Sequence, residues 1–485
     1  MHFLRQSSEL PGPKGLPLLG NLLQIDLPKL HLILEEWADR YGDMYRFRLA
    51  NKAVVVIGNP ELIQQVLRDR PQSFRRGGSI EQISRELGTH GVFAAEGEQW
   101  RRQRALTMQA FKPEQLRRFF PTLRAITERL QARWSQLAEA GNPLAVDKDW
   151  MRFTVDVTTQ FAFGYDINLL ENENADFQRH LESQLPGLNR WANAPFPYWH
   201  YFKLPSDRAM EKSLVAIKET INGFVRQTRE RLAQQPERAG QPANFLETLL
   251  QARDENGAGL SDEEITGNVF TILIAGEDTT AHTLSWLLHL LCEHPDVQRK
   301  LQQEADAALG GHALPPDLGV LENMPYLEAV ALETLRLKNV APILFLEPNQ
   351  DVELNGVTIP QGTLLMLLNR YNALQDANFS AASQFRPDRW LDADPASCPH
   401  NRSAFTPFGA GPRFCPGRSL AMLEIKMAIA MMARNFTVTP VDTGQPVREL
   451  FSFTMMPENL QVRFKKRQAL SIRHDGIEPL ASSGV

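Results

Sequence analysis

The chain has 485 residues, 43% hydrophobic and 22% charged, which is ordinary for a globular protein and enough to bury a large core. A net charge of −5 leaves no support for a nucleic-acid partner. Three widely spaced cysteines (Cys292, Cys398, Cys415) make no disulfide framework and point to a reducing compartment.

The N-terminus, Met1 to Ser7, has neither a signal-peptide core nor the ~20 apolar residues of a membrane helix, so no transmembrane anchor is expected. Residues 1–10 read as a flexible lead into Pro11-Gly12-Pro13-Lys14-Gly15. Tyr45, Phe47 and Leu49 alternate with polar residues and Ala53 to Ile57 follow the Asn51-Lys52 turn, which predicts a hairpin. Trp100 and Arg104 share one face of a basic helical run in which Arg101 and Arg102 are either solvated or a dock for an acidic redox partner. Leu123, Ile126, Leu130, Trp134 and Leu137 mark one helix face that stops at Gly141 and Pro143. Asp351 to Leu364 predicts a second hairpin around Asn355-Gly356. Phe451 to Phe464 predicts a strand pair around Pro457-Glu458-Asn459, and residues 467–485 a loosely held tail. The fold class is mainly α with small β-sheets, and no linker divides 1–485, so a single domain is expected.

Ser261-Asp262-Glu263-Glu264 is a capping box that opens a long apolar helix running to about Cys292. In its middle lies Ala275-Gly276-Glu277-Asp278-Thr279-Thr280. A mid-helix Gly costs roughly 1 kcal/mol against Ala. Such a weakness suits a kink or water site beside a reactive centre, and equally a close helix–helix contact. Ala275 and Thr279 stand one turn apart on one face.

Glu333 and Arg336 are opposite charges at i and i+3, a spacing that Glu98 and Arg101 share and that usually marks a surface pair. In Phe408-Gly409-Ala410-Gly411-Pro412-Arg413-Phe414-Cys415-Pro416-Gly417, a lone cysteine precedes a helical run, Arg418 to Met432. Pro416 suits a first helical position, and Gly411 and Gly417 allow a close approach to a bulky flat group. The helix dipole favours a Cys415 thiolate, which can be a nucleophile, a redox group or a metal ligand, unless Cys415 is inert packing.

This decapeptide resembles the haem-binding signature Phe-x-x-Gly-x-Arg-x-Cys-x-Gly of the cytochromes P-450 at every fixed position. Three further segments resemble elements of that family in its order, over about Pro11 to Arg463. They are Ala275 to Thr280, the Glu333–Arg336 helix with Phe385-Arg386-Pro387-Asp388-Arg389-Trp390, and Trp100 to Arg104. The resemblance implies the cytochrome P-450 fold, with haem b between the long central helix and the cysteine loop and the Cys415 thiolate as its iron ligand. Pro416 removes one N–H that would weaken the sulfur's donation. Phe408, Gly409, Gly411, Gly417 and Ala275 would border the haem, and Trp100, Arg104 and Arg413 its propionates. Thr279 would bond iron-bound oxygen or its water, and Asp278 relay protons. Glu333, Arg336 and Arg389 would form a buried structural network.

The activity implied is monooxygenation of a lipophilic small molecule with O2. Electrons would come from a separate ferredoxin or flavodoxin/flavoprotein reductase, since at this length no reductase is fused. A peroxide-driven peroxygenase and a non-enzymatic haem-thiolate sensor are the alternatives. Phe93, Phe270, Val340, Ala341, Ile343 and Met455 are the pocket candidates, and the aromatic cluster from Trp191 to Phe202 reads as a mobile lid, with ordinary packing and then peripheral membrane contact as the alternatives. Arg75 and Arg76 read either as an entrance grip for a carboxylate or as solvated charges. Eukaryotic relatives usually carry an anchor before the proline-glycine hinge, so a soluble, bacterial-type cytoplasmic monomer is expected. One departure stands out. Many relatives have an arginine five residues before the aspartate that aligns with Asp351, and it pairs with a propionate. This chain has Leu346 there, then Glu347. Either the alignment slips or that propionate is held otherwise, with Arg370 as a candidate.

Overall fold

The computed structural model describes residues 5–172, 176–194, 196–238, 240–391 and 400–467. Cys398 and the tail beyond Arg467 lie outside them. The first helices are α1 (Leu30–Tyr41), α2 (Pro60–Arg68), α3 (Gly78–Glu86), α4 (Gly97–Thr107), α5 (Pro113–Ala140) and α6 (Val146–Phe163). The middle of the chain forms α7 (Asp176–Glu182), α8 (Gln184–Ala192), α9 (Pro205–Gln234), α10 (Phe245–Gln251) and α11 (Asp262–Glu293). Then follow α12 (Pro295–Leu309), α13 (Leu318–Glu322), α14 (Pro325–Leu337) and α15 (Arg418–Asn435). The strands are β1 (Arg5–Gln6), β2 (Met44–Leu49), β3 (Lys52–Ile57), β4 (Phe74–Arg76), β5 (Ile343–Pro348) and β6 (Val352–Leu354). The rest are β7 (Val357–Ile359), β8 (Leu364–Leu368), β9 (Phe436–Pro440), β10 (Arg448–Ser452), β11 (Thr454–Glu458) and β12 (Val462–Lys466).

Local signals account for many of these boundaries. Pro113 opens α5, and Gly141 closes it with φ 68, the left-handed conformation that a helix C-terminus favours in glycine. Leu123, Ile126, Leu130 and Trp134 of α5 are fully buried, as their spacing predicts. The β2–β3 hairpin buries Tyr45 and Phe47 and joins the five-stranded sheet β2-β3-β8-β5-β4, in which β3 and β8 run parallel. Asn355 and Gly356 both have positive φ, 50 and 72, as the turn between β6 and β7 requires.

Two expectations need correction. Phe451 to Phe464 is not one strand pair: β11 pairs with β10 and β12 with β9. The reversal lies one turn earlier, at Phe453 with φ 70, and Pro457 sits inside β11. Local alternation cannot tell which of four short strands pair. Residues 5–10 are also held, since β1 runs parallel to β7 and Leu10 is buried. At the other end Arg467 donates to both Asp306 carboxylate oxygens, at 2.9 and 2.7 Å.

Candidate active site

α11 is built as its sequence predicts. Ser261 Oγ accepts from the Glu264 N–H at 3.2 Å, and the Glu264 carboxylate accepts from the Ser261 N–H at 2.9 Å. The helix then runs unbroken to Glu293, packed against α6, α14 and α15. Most of it is buried, yet Ala275 is exposed and Asp278 and Thr279 are half-buried. Exposure in the middle of an enclosed helix marks an internal space. Thr279 Oγ1 donates to the Ala275 carbonyl at 2.8 Å, and Thr283 Oγ1 to the Thr279 carbonyl at 2.8 Å. The expected weak point is therefore hydroxyl back-bonding, with no break in the helix. Gly276 has a different task. A Cβ there would sit 3.0 Å from Thr158 Oγ1 of α6, so this glycine serves the helix–helix contact.

Two carboxyls lie beside Thr279. Burial and the nearby Glu182 carboxylate push Asp278 up to about 7. Glu277 is buried, its Oε1 has no hydrogen-bond partner among the described residues, and burial, Asp278 and Glu182 hold it well above the usual range. The site can keep a proton on one of these groups at neutral pH.

The Cys415 N–H donates to the Phe408 carbonyl at 2.8 Å and closes the decapeptide into a loop. α15 starts at Arg418 with Gly417 as its cap, so Pro416 stands one residue before the cap and not at the first helical position. Burial pushes the Cys415 thiol up, while the Gly417 N–H, the Arg104 charge and the Arg418 N–H pull it down; burial wins. The helix terminus alone therefore does not make a thiolate. A coordinated cation would, because a thiol that ligates a metal is deprotonated outright. Gly411 is also corrected. Its φ is 66 and an added Cβ would lie 2.3 Å from the Leu67 carbonyl, so the end of α2 demands glycine there, not a flat ligand. A Cβ on Gly417 would meet only Cys415 Sγ, at 3.8 Å.

Trp100, Arg104 and Arg413 come together beside this loop. The Arg413 guanidinium lies 4.4 Å from the buried Trp100 ring, donates to the Ala95 carbonyl at 2.8 Å and pairs with Glu96. Arg104 donates to the Phe414 carbonyl at 2.7 Å. Arg102 is no free docking charge, since it donates to Asp254 at 2.7 Å and to Glu264 at 3.1 Å. Arg370 is engaged too, with Glu35 at 2.8 Å and Glu449 at 3.0 Å, which removes it as a spare cation.

The buried network forms as expected. Arg336 grips Glu333 through two parallel hydrogen bonds of 2.9 and 2.8 Å, and Arg389 Nε donates to the same carboxylate at 3.0 Å. Glu333 and Arg336 are both 0% exposed. Trp390 Nε1 and the Arg386 N–H add bonds of 2.8 and 2.9 Å. Burial alone would raise Glu333, but Arg336, Arg386 and Arg389 hold it below the usual carboxylate range.

Pocket candidates divide. Phe93 and Ala341 are half-buried, and Phe93 lies between the Arg76 guanidinium, 3.7 Å from its centroid, and the Phe453 ring, 6.4 Å away. Phe270 belongs to the main core, while Val340, Ile343 and Met455 join the cluster under Trp286, so these four are buried among apolar neighbours. Met455 is fixed on both sides, its N–H on the Val340 carbonyl at 2.9 Å and its carbonyl on Trp286 Nε1 at 3.2 Å. Phe453 escaped the sequence reading, although the aromatic just ahead of Thr454 was visible. The expected lid is pinned at its centre. Trp191 and Trp199 stack at 4.6 Å, and their indole N–H groups bond Asp207 and Glu86 at 2.9 Å each. Phe196, Tyr201 and Phe202 stay exposed.

The family model for cytochrome P450 matches residues 10–464. The chain belongs to the cytochrome P450 family. Among its relatives are cytochrome P450 3A13 of Mus musculus, 30% identical over 94% of this chain and 91% of the relative, and cytochrome P450 3A5 of Homo sapiens, 31% identical over 92% and 88%. Pentalenene oxygenase of Streptomyces avermitilis is 28% identical over 94% of this chain and 97% of its own length. Proteins of this family are monooxygenases that carry haem b on a cysteine thiolate and use O2, a substrate and an electron-transfer partner. No helix among the described residues is long and apolar enough to cross a membrane. The residues present fit the haem. The Cys415 thiol, an exposed mid-helix Ala275 and buried guanidinium nitrogens without hydrogen-bond partners among the described residues, Arg413 Nε among them, suit an iron, a flat ring and its two carboxylates.

Proposed function

We propose that Cys415 would ligate the haem iron of this monooxygenase, and that Asp278 and Thr279 would deliver protons at the opened face of α11, where a lipophilic substrate binds. What supports this is the Cys415 loop leading into α15, and the opened Ala275–Thr279 face of α11, an otherwise enclosed helix that packs against α15. The bound haem supplies the redox chemistry by which one atom of O2 enters the substrate. The chain's own residues position and protonate. Asp278, with a value of about 7, can give up and regain a proton near neutrality. Thr279 Oγ1, now bonded to the Ala275 carbonyl, can turn its proton toward the cavity. Trp100, Arg104 and Arg413 hold the propionates, and Glu333, Arg336 and Arg389 keep the layer behind the cysteine loop rigid.

One haem-bearing unit, monomeric, cytoplasmic and of the soluble bacterial type, served by a separate ferredoxin or flavoprotein, completes the proposal. A groove of about 600 Å³ behind the cysteine loop, lined by Phe408, Phe414, Pro416 and Met422, suits the approach of that donor. The name of the Streptomyces relative makes terpenoids the first substrate class to try. The test is the reduced carbon-monoxide difference spectrum of the wild type and of Cys415→His. The wild type is expected to show the red-shifted Soret band of a thiolate-ligated haem, and C415H to lose it while keeping haem. A wild type without that band overturns the assignment. Spectral titration with terpenoids, fatty acids, steroids and aromatic polyketides then identifies the class that shifts the ferric spin state.

A further inference from the structure

The arginine missing at Leu346 has a replacement on the neighbouring strand. β4 and β5 pair antiparallel with Arg76 directly opposite Leu346 and Arg75 opposite Glu347. The two arginines have different fates. Arg75 is neutralised by Glu347, to which its Nε donates at 2.6 Å. Arg76 donates only Nε, to the Phe93 carbonyl at 3.0 Å, and its terminal nitrogens have no partner among the described residues. It thus carries an unspent pair of donors at the register position where relatives place theirs.

A second arginine stands beside it. Arg70, just after α2, is 5% exposed, and its Nε and Nη2 are buried without any hydrogen-bond partner among the described residues. Leaving such donors unmet is expensive in a finished protein. Burial and the charges of Arg76 and Arg413 push Arg70 down to about 8, and Glu96 only partly offsets them. The group is close to the cysteine loop, because α2 ends against Gly411. Arg70, Arg76, Arg104 and Arg413 are four cations near two carboxylates, Glu96, already paired with Arg413, and Glu81, paired with Arg85. Two propionates would bring this cluster near neutrality and supply the missing acceptors.

We propose that Arg70 and Arg76 together hold the haem propionate that the arginine at the Leu346 position holds in relatives. This rests on the haem assignment above. A carboxylate substrate could satisfy the same donors; the haem is favoured because Arg76 stands opposite Leu346 in the β4–β5 register and feels the charge of Arg413 of the cysteine loop.

The experiment uses the holoenzyme, with Arg70→Gln, Arg76→Leu and the strand swap Arg76→Leu/Leu346→Arg. Haem transfer to excess apomyoglobin and the ferric/ferrous midpoint potential are measured for each. R70Q and R76L are expected to lose haem about tenfold faster or more, as removal of a charge-assisted bond implies, and to show a lower potential. The swap is expected to restore both to within about twofold of the wild type. If R76L does not fold, the swap alone decides, since an arginine re-supplied from β5 rescues haem retention only when a propionate is its partner. Unchanged haem loss in R70Q and R76L overturns the proposal. So does a swap that folds yet sheds haem as fast as R76L. A drop in affinity for a fatty acid but not for its alcohol, with haem loss unchanged, assigns the arginines to substrate and also overturns it. Failure of the haem assignment itself is separate, because the wild type would then lack the thiolate band.

Discussion

Glu333 and Glu98 provide a controlled comparison, because each has an arginine three residues on in a helix and only one pair is buried. Glu333 accepts five hydrogen bonds: two from Arg336 and one each from Arg389, Trp390 Nε1 and the Arg386 N–H. Glu333→Ala leaves two buried guanidinium groups without their counter-charge. Both keep some solvation. Arg336 still reaches the Ala373, Ala382 and Gln384 carbonyls at 2.6, 2.7 and 3.0 Å, and Arg389 the Ser380 carbonyl at 2.9 Å. Five bonds counted separately would overstate the cost, and the loss of one partner from a buried pair sets it at about 3–5 kcal/mol. With roughly 2.1 cal/mol/K of unfolding entropy per residue, a chain this long loses about 1 °C per kcal/mol, so Tm falls about 3–5 °C. Glu98 and Arg101 are 82% and 50% exposed in their side chains, and Glu98→Ala should cost under ~0.5 kcal/mol. Denaturant titration followed by far-UV circular dichroism reads both. Equal losses for E333A and E98A would refute the claim that burial, and not spacing, gives the Glu333 network its weight.

Asp278 binds its proton more tightly folded, at about 7, than unfolded, at about 4, so it favours the fold at acid pH and weighs against it as pH rises through that window. Asp278→Asn should therefore be more stable than the wild type at pH 8 and no more stable at pH 4. It should also slow turnover at least about tenfold and flatten the limb of the pH–rate profile near 7; a profile with that limb intact would exclude Asp278 as the relay. Thr279→Ala should leave Tm nearly unchanged, since only a back-bond to Ala275 is lost, but lower the product formed per electron pair consumed; coupling equal to wild type would remove the hydroxyl from the proton path. Gly411→Ala should cost well over 1 kcal/mol and weaken haem retention, because positive φ and the Leu67 carbonyl both oppose a side chain; normal haem content and Tm would contradict the close approach.

How much was legible follows from the range of each interaction. Caps, turns and helix faces depend on residues within one or two turns, so the Ser261 capping box, the Gly141 stop, the Asn355-Gly356 turn and the apolar stripe of α5 were all readable in order. The cysteine loop, Ala275 to Thr280, and the Glu333 helix were readable because each packs its chemistry into a few consecutive residues. Long-range pairing had no such signature. Which strands share the 436–466 region, that Gly411 is shaped by α2, and that Gly276 answers to Thr158 are set by backbones far apart in sequence that meet only in the folded core. The arginines divide the same way. Charge alone could not separate Arg75, Arg76, Arg102 and Arg370. Only the partners brought to each side chain show three to be spent and Arg76 to keep its terminal nitrogens without a hydrogen-bond partner among the described residues. Composition and local motif thus determined the class of protein and singled out the residues proposed to react. The tertiary structure decided which charges and glycines face the site, because burial and neighbour identity exist only once the chain has closed on itself.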